Sequence, residues 1–369
     1  DFKRADKVCD GDIDKWIKFA NTLRLRIAMQ LVKVYPDSQK EAEDAVRDGV
    51  LTNSDSDVVL KSGLMLFRIE DLWNDTRANA NIISILQGYS DPRLERWFAT
   101  NNADIYSTDD ELSPVVEKAT KYLGVRQGVP MTRTEYQGYS KTSRVGIPEQ
   151  GPRPVLRVAE AYFLRAEGML RNWNMGDGTP ESLYNEGIHS AWASVLGDES
   201  GWAGTYESYI NGFINTEEGG DFDWELFEGG FGSAPYINYR NQEYNYYIEE
   251  NGKQVGINRI SVRWHDEDSP EKKLQRIITQ KWISFFPTLS SVAWTEYRRT
   301  GYPKLIPIPS DLNYSNGAID TELQIRRLPF TQSEYRGNTE EVNKALGLLK
   351  GPDNGGTRLW WDVDKGNFE

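Results

Sequence analysis

A single cysteine, Cys9, and two histidines, His189 and His265, are all that this 369-residue chain offers a soft metal or an imidazole base. One cysteine forms no internal bridge, and the spacing of the three residues excludes zinc fingers and related Cys/His sites. Any metal chemistry would need oxygen ligands. Cys9 follows no apolar stretch of the kind that precedes a lipid-bearing cysteine, so it reads as a small structural or surface residue. Neither histidine lies in a nucleophile-elbow or HExxH context. His189 falls inside a helical pattern beside Trp192 and reads as a packing residue, whereas His265, between Trp264 and Asp266, is the more plausible ligand contact. Cations are also in deficit: 43 Lys and Arg face 56 Asp and Glu, a net charge of −13, which excludes a general nucleic-acid face because that affinity rests on paired cations. No run approaches the ~20 apolar residues of a membrane helix. No glycine-rich loop follows a strand pattern to cradle phosphate. Asn53, Asp55 and Asp57 begin like a calcium loop, but Val58 stands where that loop needs glycine and Leu64 where it needs a terminal glutamate. No cofactor is required by any motif. The Asp/Asn-rich loops leave Ca2+ open as an optional ion without naming its ligands.

Helical periodicity and aromatic rings are abundant. Trp16, Ala20, Leu23, Ile27, Leu31 and Val34 recur every three or four residues and predict a helix from about Asp14 to Val34, stopped by Tyr35-Pro36. Ser38 and Glu41 suggest a capping box for a second helix that ends near Gly49. A second hairpin is predicted from Leu156, with Val158, Ala159, Tyr162, Phe163, Ala166, Met169 and Leu170 as its apolar stripe; Thr179-Pro180 caps the partner, which carries Leu183, Tyr184, Ile188, Ala191, Trp192 and Val195. A third helix opens at Ser269-Pro270 and shows Leu274, Ile277, Ile278, Trp282 and Phe285 before Pro287. These pairs have tetratricopeptide-like length, and the predicted class is mainly α. Residues 1–198 read as a helical-repeat scaffold with loop excursions, 199–268 as an aromatic-rich loop insertion, and 269–369 as a scaffold helix with an irregular, packed C-terminal tail, all in one structural unit.

The insertion carries the best candidate chemistry. Asp223 with Glu225 or Glu228 could form the acid and base of a glycoside hydrolase, although a solvated acidic loop is the better explanation of them in so acidic a chain. A binding reading fits better. A sugar offers an apolar C–H face and a rim of hydroxyls, so its site needs an aromatic platform flanked by directional polar groups. Trp202, Trp224, Phe231 and Tyr236 lie among Asp221, Asp223, Asn211 and Asn238, and Trp73 lies close to Asn74 and Arg77. The candidate ligand-binding residues are therefore Trp73, Asn74, Arg77, Trp202, Asp223, Trp224, Phe231 and Tyr236, with no catalytic residue assigned. Many such rings in long loops serve only to pin the loop to the body.

Several ordered motifs resemble those of the SusD/RagB-like outer-membrane nutrient-binding lipoproteins, in particular their SusD-like subgroup 2. They are Gly11-Asp12-Ile13-Asp14-Lys15-Trp16-Ile17-Lys18-Phe19-Ala20-Asn21-Thr22-Leu23-Arg24-Leu25-Arg26, Asp91-Pro92-Arg93-Leu94, Tyr122-Leu123-Gly124-Val125, Glu160-Ala161-Tyr162-Phe163-Leu164-Arg165-Ala166-Glu167, Gln280-Lys281-Trp282-Ile283, and Ala293-Trp294-Thr295-Glu296-Tyr297-Arg298-Arg299-Thr300-Gly301-Tyr302-Pro303. Arg326-Arg327-Leu328-Pro329-Phe330 and Gly355-Gly356-Thr357-Arg358-Leu359-Trp360-Trp361-Asp362 complete the set. The resemblance spans almost the whole chain and its motifs are mostly scaffold. It implies a right-handed tetratricopeptide-like superhelix with an irregular loop-rich subdomain, and a non-enzymatic protein at the surface of a Bacteroidetes-type cell. Such a protein captures oligosaccharide, or alternatively peptide, and delivers it to a SusC-like TonB-dependent transporter in the outer membrane. It also implies a lipid anchor and one or two helix pairs ahead of residue 1, because the chain enters directly at the signature helix.

Overall fold

The strong 14–34 periodicity becomes α2 (Ile13–Gln30), preceded by the single turn α1 (Phe2–Ala5) and capped by Asp12, whose side chain accepts from the Lys15 amide. The computed structural model describes residues 2–60, 77–89, 91–100, 122, 124–125, 127–128, 153–196, 206, 209–210, 247–250, 253–256, 260–308 and 310–369. α2 packs on α3 (Ser38–Arg47), and Gly49, at φ +98°, turns the chain after it. The expected capping box is absent: Ser38 is already helical, its hydroxyl buried without a partner among the described residues, and Asp37 sits at the cap without a side-chain bond. Glu41 instead pairs with Arg24 across the hairpin at 2.6 Å, an ion pair that takes precedence over the local cap.

Beyond the short strand β1 (Val58–Leu60) come α4 (Ala80–Gly88) and α5 (Arg93–Trp97). β2 (Arg153–Leu156) pairs antiparallel with β1 and feeds α6 (Val158–Leu170), which packs along α7 (Pro180–Leu196). At the start of α7 Thr179 and Ser182 exchange side-chain bonds, Ser182 N donating to Thr179 Oγ1 at 3.1 Å and Thr179 N to Ser182 Oγ at 2.8 Å. β3 (Tyr247–Glu250) and β4 (Lys253–Gly256) form a hairpin that the loop composition did not announce. α8 (Pro270–Ser284) starts on the Ser269 cap and lies on α6 and α7; α9 (Ser290–Thr300) ends where Gly301 adopts φ +76°. The tail holds two short helices, α10 (Gln332–Gly337) and α11 (Thr339–Leu346). It is pinned where Arg326 pairs with the buried Asp362 and where Arg298 lies over the Trp361 ring at 4.6 Å. Among the described residues no helix is long and apolar enough to cross a membrane.

The helix pairs enclose one large apolar cluster that includes Leu25, Met29, Ile83, Leu86, Trp97, Phe163, Tyr184, Trp192 and Ile277. Cys9 and His265 are buried, at 1% and 8% exposure, and the Tyr206 ring meets His189 edge-on, so these residues pack rather than reach a ligand. Asp57 accepts from the Val158 amide and from Arg157, and Asp55 pairs with Lys18, so the carboxylates of the calcium-like stretch hold the scaffold together.

A chain of charges runs through the interior. Arg26 of α2 donates to both oxygens of Glu160 on α6, at 2.7 and 2.6 Å; Glu167, one helical repeat further along α6, receives both Arg299 terminal nitrogens from α9 at 2.6 and 2.7 Å. Arg299 also reaches Glu296 at 2.8 Å, and Lys281 of α8 lies 3.3 Å from the same carboxylate. All of these except Arg26 are at most 2% exposed at the side chain. Burial alone would raise the Glu167 carboxyl, but Arg299 and Arg171 outweigh it and hold its pKa at about 2; Glu296 is likewise held down by Arg299 and Lys281 against the effect of burial.

The sign follows from linkage. A carboxyl that titrates near 2 in the folded protein and near 4.5 unfolded stabilises the fold fully above pH 4.5 and loses that contribution as pH falls toward 2. Denaturation midpoints measured across that window should show a decline worth ~3 kcal/mol from Glu167 alone. Arg299→Met should cost about 3–5 kcal/mol at neutral pH in urea unfolding, because it removes the cation shared by two buried carboxylates and leaves Glu167 to Arg171 and Glu296 to Lys281; a loss below ~1 kcal/mol would show the lattice to be dispensable.

Candidate functional site

α9 has two working faces. Glu296 and Arg299 turn toward the ion lattice, whereas Ser290, Ala293, Trp294 and Tyr297, spaced i, i+3, i+4 and i+7, form a second stripe. That second stripe lines a cavity of about 400 Å³, within the range of small-molecule sites. The opposite wall comes from α4 and the segment before it, through Arg77, Ala78, Asn79 and Ile82, and from Phe98 after α5. Trp282, Phe285, Phe286 and Pro287 close it at the end of α8, and Leu305 and Gln324 add two loop contributions.

Local bonding fixes each wall. Ala80 N donates to Val125 O at 2.9 Å and Val125 N to Ala78 O at 2.7 Å, a bridge that sets the approach to α4. Gly124 lies so close to it that an added Cβ would fall 2.6 Å from the Asn79 and Ala80 backbone, so only glycine fits. Ile306 N donates to Asn81 Oδ1 at 2.7 Å, which brings Leu305 alongside α4. The Phe286 ring packs 4.9 Å from Trp97 and 5.1 Å from Phe98, and its carbonyl accepts from Arg157 Nη2 at 3.2 Å. Trp294 donates through Nε1 to Ile325 O at 2.9 Å, and the Arg298 guanidinium stacks on its ring at 3.8 Å. Tyr297 donates to Glu322 O at 2.6 Å; burial pushes its phenol up to about 12, so it stays neutral at physiological pH.

The wall is dominated by aromatic and aliphatic groups. Among the described residues of this wall Arg77 is the one charged group and none is a carboxylate. Asn79 Oδ1 accepts from the Asn81 amide at 2.8 Å. Gln324 sits at φ +58°, in the left-handed region that glycine or asparagine ordinarily fills, and its Nε2 is buried without a partner among the described residues. Among the described residues no group of three or more His, Cys, Asp or Glu side chains is arranged to hold a metal ion. This surface can grip a flat, mostly apolar face and bond its edge.

Of the eight ligand-binding residues expected from sequence, Arg77 lies in the cavity wall. Trp73, Asn74, Trp202, Asp223, Trp224, Phe231 and Tyr236 lie outside the described residues, as do Glu225 and Glu228. The rings that line the cavity were visible in the sequence under other roles: Trp282 and Phe285 as members of a helix stripe, Trp294 and Tyr297 inside a scaffold motif. The Phe285-Phe286-Pro287 run at a helix end, followed by Trp294 and Tyr297 one helical turn apart, was the available signal.

Comparison with known proteins agrees with the fold. The family model described as SusD-like, Susd and RagB outer membrane lipoprotein, matches residues 1–207 and 231–362. A chitin-binding SusD homolog from Flavobacterium johnsoniae is 37% identical, with a TM-score of 0.78 over 100% of this chain and 67% of its own. SusD homologs from Bacteroides vulgatus and Bacteroides thetaiotaomicron are 32% and 29% identical, with TM-scores of 0.78 and 0.77; this chain is covered to 99% in each, and theirs to 66% and 69%. The chain thus spans about two thirds of the length of these structures. A search of curated proteins gave no match. The shared architecture is the tetratricopeptide-like helical one, and with the scaffold motifs seated in the buried lattice, this chain belongs to the SusD-like family of outer-membrane lipoproteins, as a binding protein rather than an enzyme.

Proposed function

We propose that this protein captures a glycan at the outer face of the outer membrane and passes it, chemically unchanged, to a SusC-like TonB-dependent transporter. The observation that carries the reading is the aromatic cavity, with Trp282, Phe286, Trp294 and Tyr297 around one hollow and, among its described residues, Arg77, Asn79, Ser290 and Gln324 as the polar side chains beside them. Stacking against rings supplies contact area without demanding charge, and a few directional groups select orientation. Family membership and the chitin-binding homolog at 37% identity support a saccharide cargo. The family's lipoprotein character supports membrane attachment through a lipid anchor. Trp73 and Trp224 are proposed as further ring contacts, with Asn74, Trp202, Asp223, Phe231 and Tyr236 beside them.

Isothermal titration against a panel of neutral oligosaccharides and of peptides tests the reading. Oligosaccharide binding is expected, weakened about tenfold or more by Trp294→Ala, with circular dichroism as the check on folding. Trp73→Ala and Trp224→Ala measure the proposed contribution of the other rings. Binding of peptides and no saccharide, or saccharide binding indifferent to all three substitutions, would contradict the proposal.

A further inference from the structure

We infer that Arg298 is a positioning residue of the cargo site: its guanidinium, held between the Trp294 and Trp361 rings, sets the plane of the indole that the hollow presents to a sugar. This rests on the glycan-binding reading and deepens it, by naming a residue on which binding depends although it does not line the hollow.

Trp294 and Arg298 stand four residues apart on α9, so their side chains meet on one side of the helix. The guanidinium carbon lies 3.8 Å from the centre of the Trp294 ring and 4.6 Å from that of Trp361. Trp294 lines the hollow, whereas Arg298 and Trp361 are not among the described residues of its wall. The indole is therefore tied twice, in its plane by the bond from Nε1 to Ile325 O at 2.9 Å and across its face by the cation. A single in-plane bond leaves a ring free to rock about that bond. A planar cation on the face removes the freedom.

The guanidinium is itself fixed. Nη1 donates to Arg326 O at 2.6 Å and Nη2 to Thr295 Oγ1 at 3.3 Å, and in return Arg326 Nη2 donates to Arg298 O. Arg326 also pairs with Asp362, the residue after Trp361. The C-terminal tail thus supplies one ring of the stack and the bonds that hold the cation in it.

The charge of Arg298 points the same way. The side chain is buried, and Asp362, the carboxylate that acts on it most, is paired with Arg326 and Arg358 instead. Burial pulls its pKa down to about 10, so it stays charged at physiological pH. A methionine would fill the space without desolvating a charge. What the cation adds over an apolar filler is a directional hold on two rings.

The test uses the full chain labelled with 5-fluorotryptophan, and cellotetraose, maltotetraose and the N-acetylglucosamine tetramer as probes. The Trp294 fluorine signal, identified by its loss in Trp294→Ala, should be sharp in the wild type and broadened or split in Arg298→Met and in Trp361→Leu. The probe that binds best should bind about three- to tenfold more weakly to both variants. In a Trp294→Ala background Arg298→Met should weaken binding by less than about twofold further, because the ring it positions is gone. Thermal midpoints check folding, and Trp361→Leu carries the test if Arg298→Met does not fold. Wild-type affinity in the folded variants, an unchanged Trp294 signal, or an Arg298→Met loss as large without Trp294 as with it would overturn the inference. Probe binding that is weakened by Trp294→Ala would, in each of those cases, leave glycan capture standing. Failure of all three probes to bind would remove both readings together.

Discussion

Buried charge, matched across four helices, is the constraint on which this protein's shape depends. Arg26, Glu160, Glu167, Lys281, Glu296 and Arg299 come from α2, α6, α8 and α9, and all but the partly exposed Arg26 occupy positions from which water is almost excluded. An ion in that setting is tolerable only with its partners in place. A shift of one helix by a single turn would strand several charges at once, so the lattice specifies register more sharply than the surrounding leucines and isoleucines could.

That register places the cavity. On α9 the residues that face the lattice and the residues that face the hollow alternate within the same three turns, Glu296 and Arg299 on one side, Trp294 and Tyr297 on the other. Trp282 likewise follows Lys281 directly on α8. The rings are thus held from behind by ionic contacts and from the side by Arg298, which is clamped between Trp294 and Trp361. A site built this way is formed before its cargo arrives, and little ordering free energy has to be spent on binding.

The sequence disclosed the scaffold far better than the site. α2, α6, α7 and α8 could be read because each carries an apolar stripe over three or more turns, and the caps at Ser269 and Thr179 obey purely local chemistry. The cap expected at Ser38 failed because Glu41 had a better partner, Arg24, on another helix. The cavity was hidden for a related reason. Its wall gathers short pieces from residues 77 to 82, 98, 282 to 297, 305 and 324, and a tryptophan facing a hollow keeps the same helical spacing as one facing the core. Nor does any sequence pattern show that Gln324 takes a left-handed backbone, which is the feature that sets it apart. The aromatic density of residues 199–268 drew attention to loops, whereas the described rings that converge lie at the ends of scaffold helices.

A structure of the protein with an oligosaccharide cargo bound tests the account most directly. The account predicts a sugar ring seated against Phe286 and Trp294, with α9 unmoved relative to α6 and the Glu167–Arg299 pair intact. A cargo held elsewhere while this hollow stays vacant, or one that enters only by displacing α9 and breaking that pair, would contradict it.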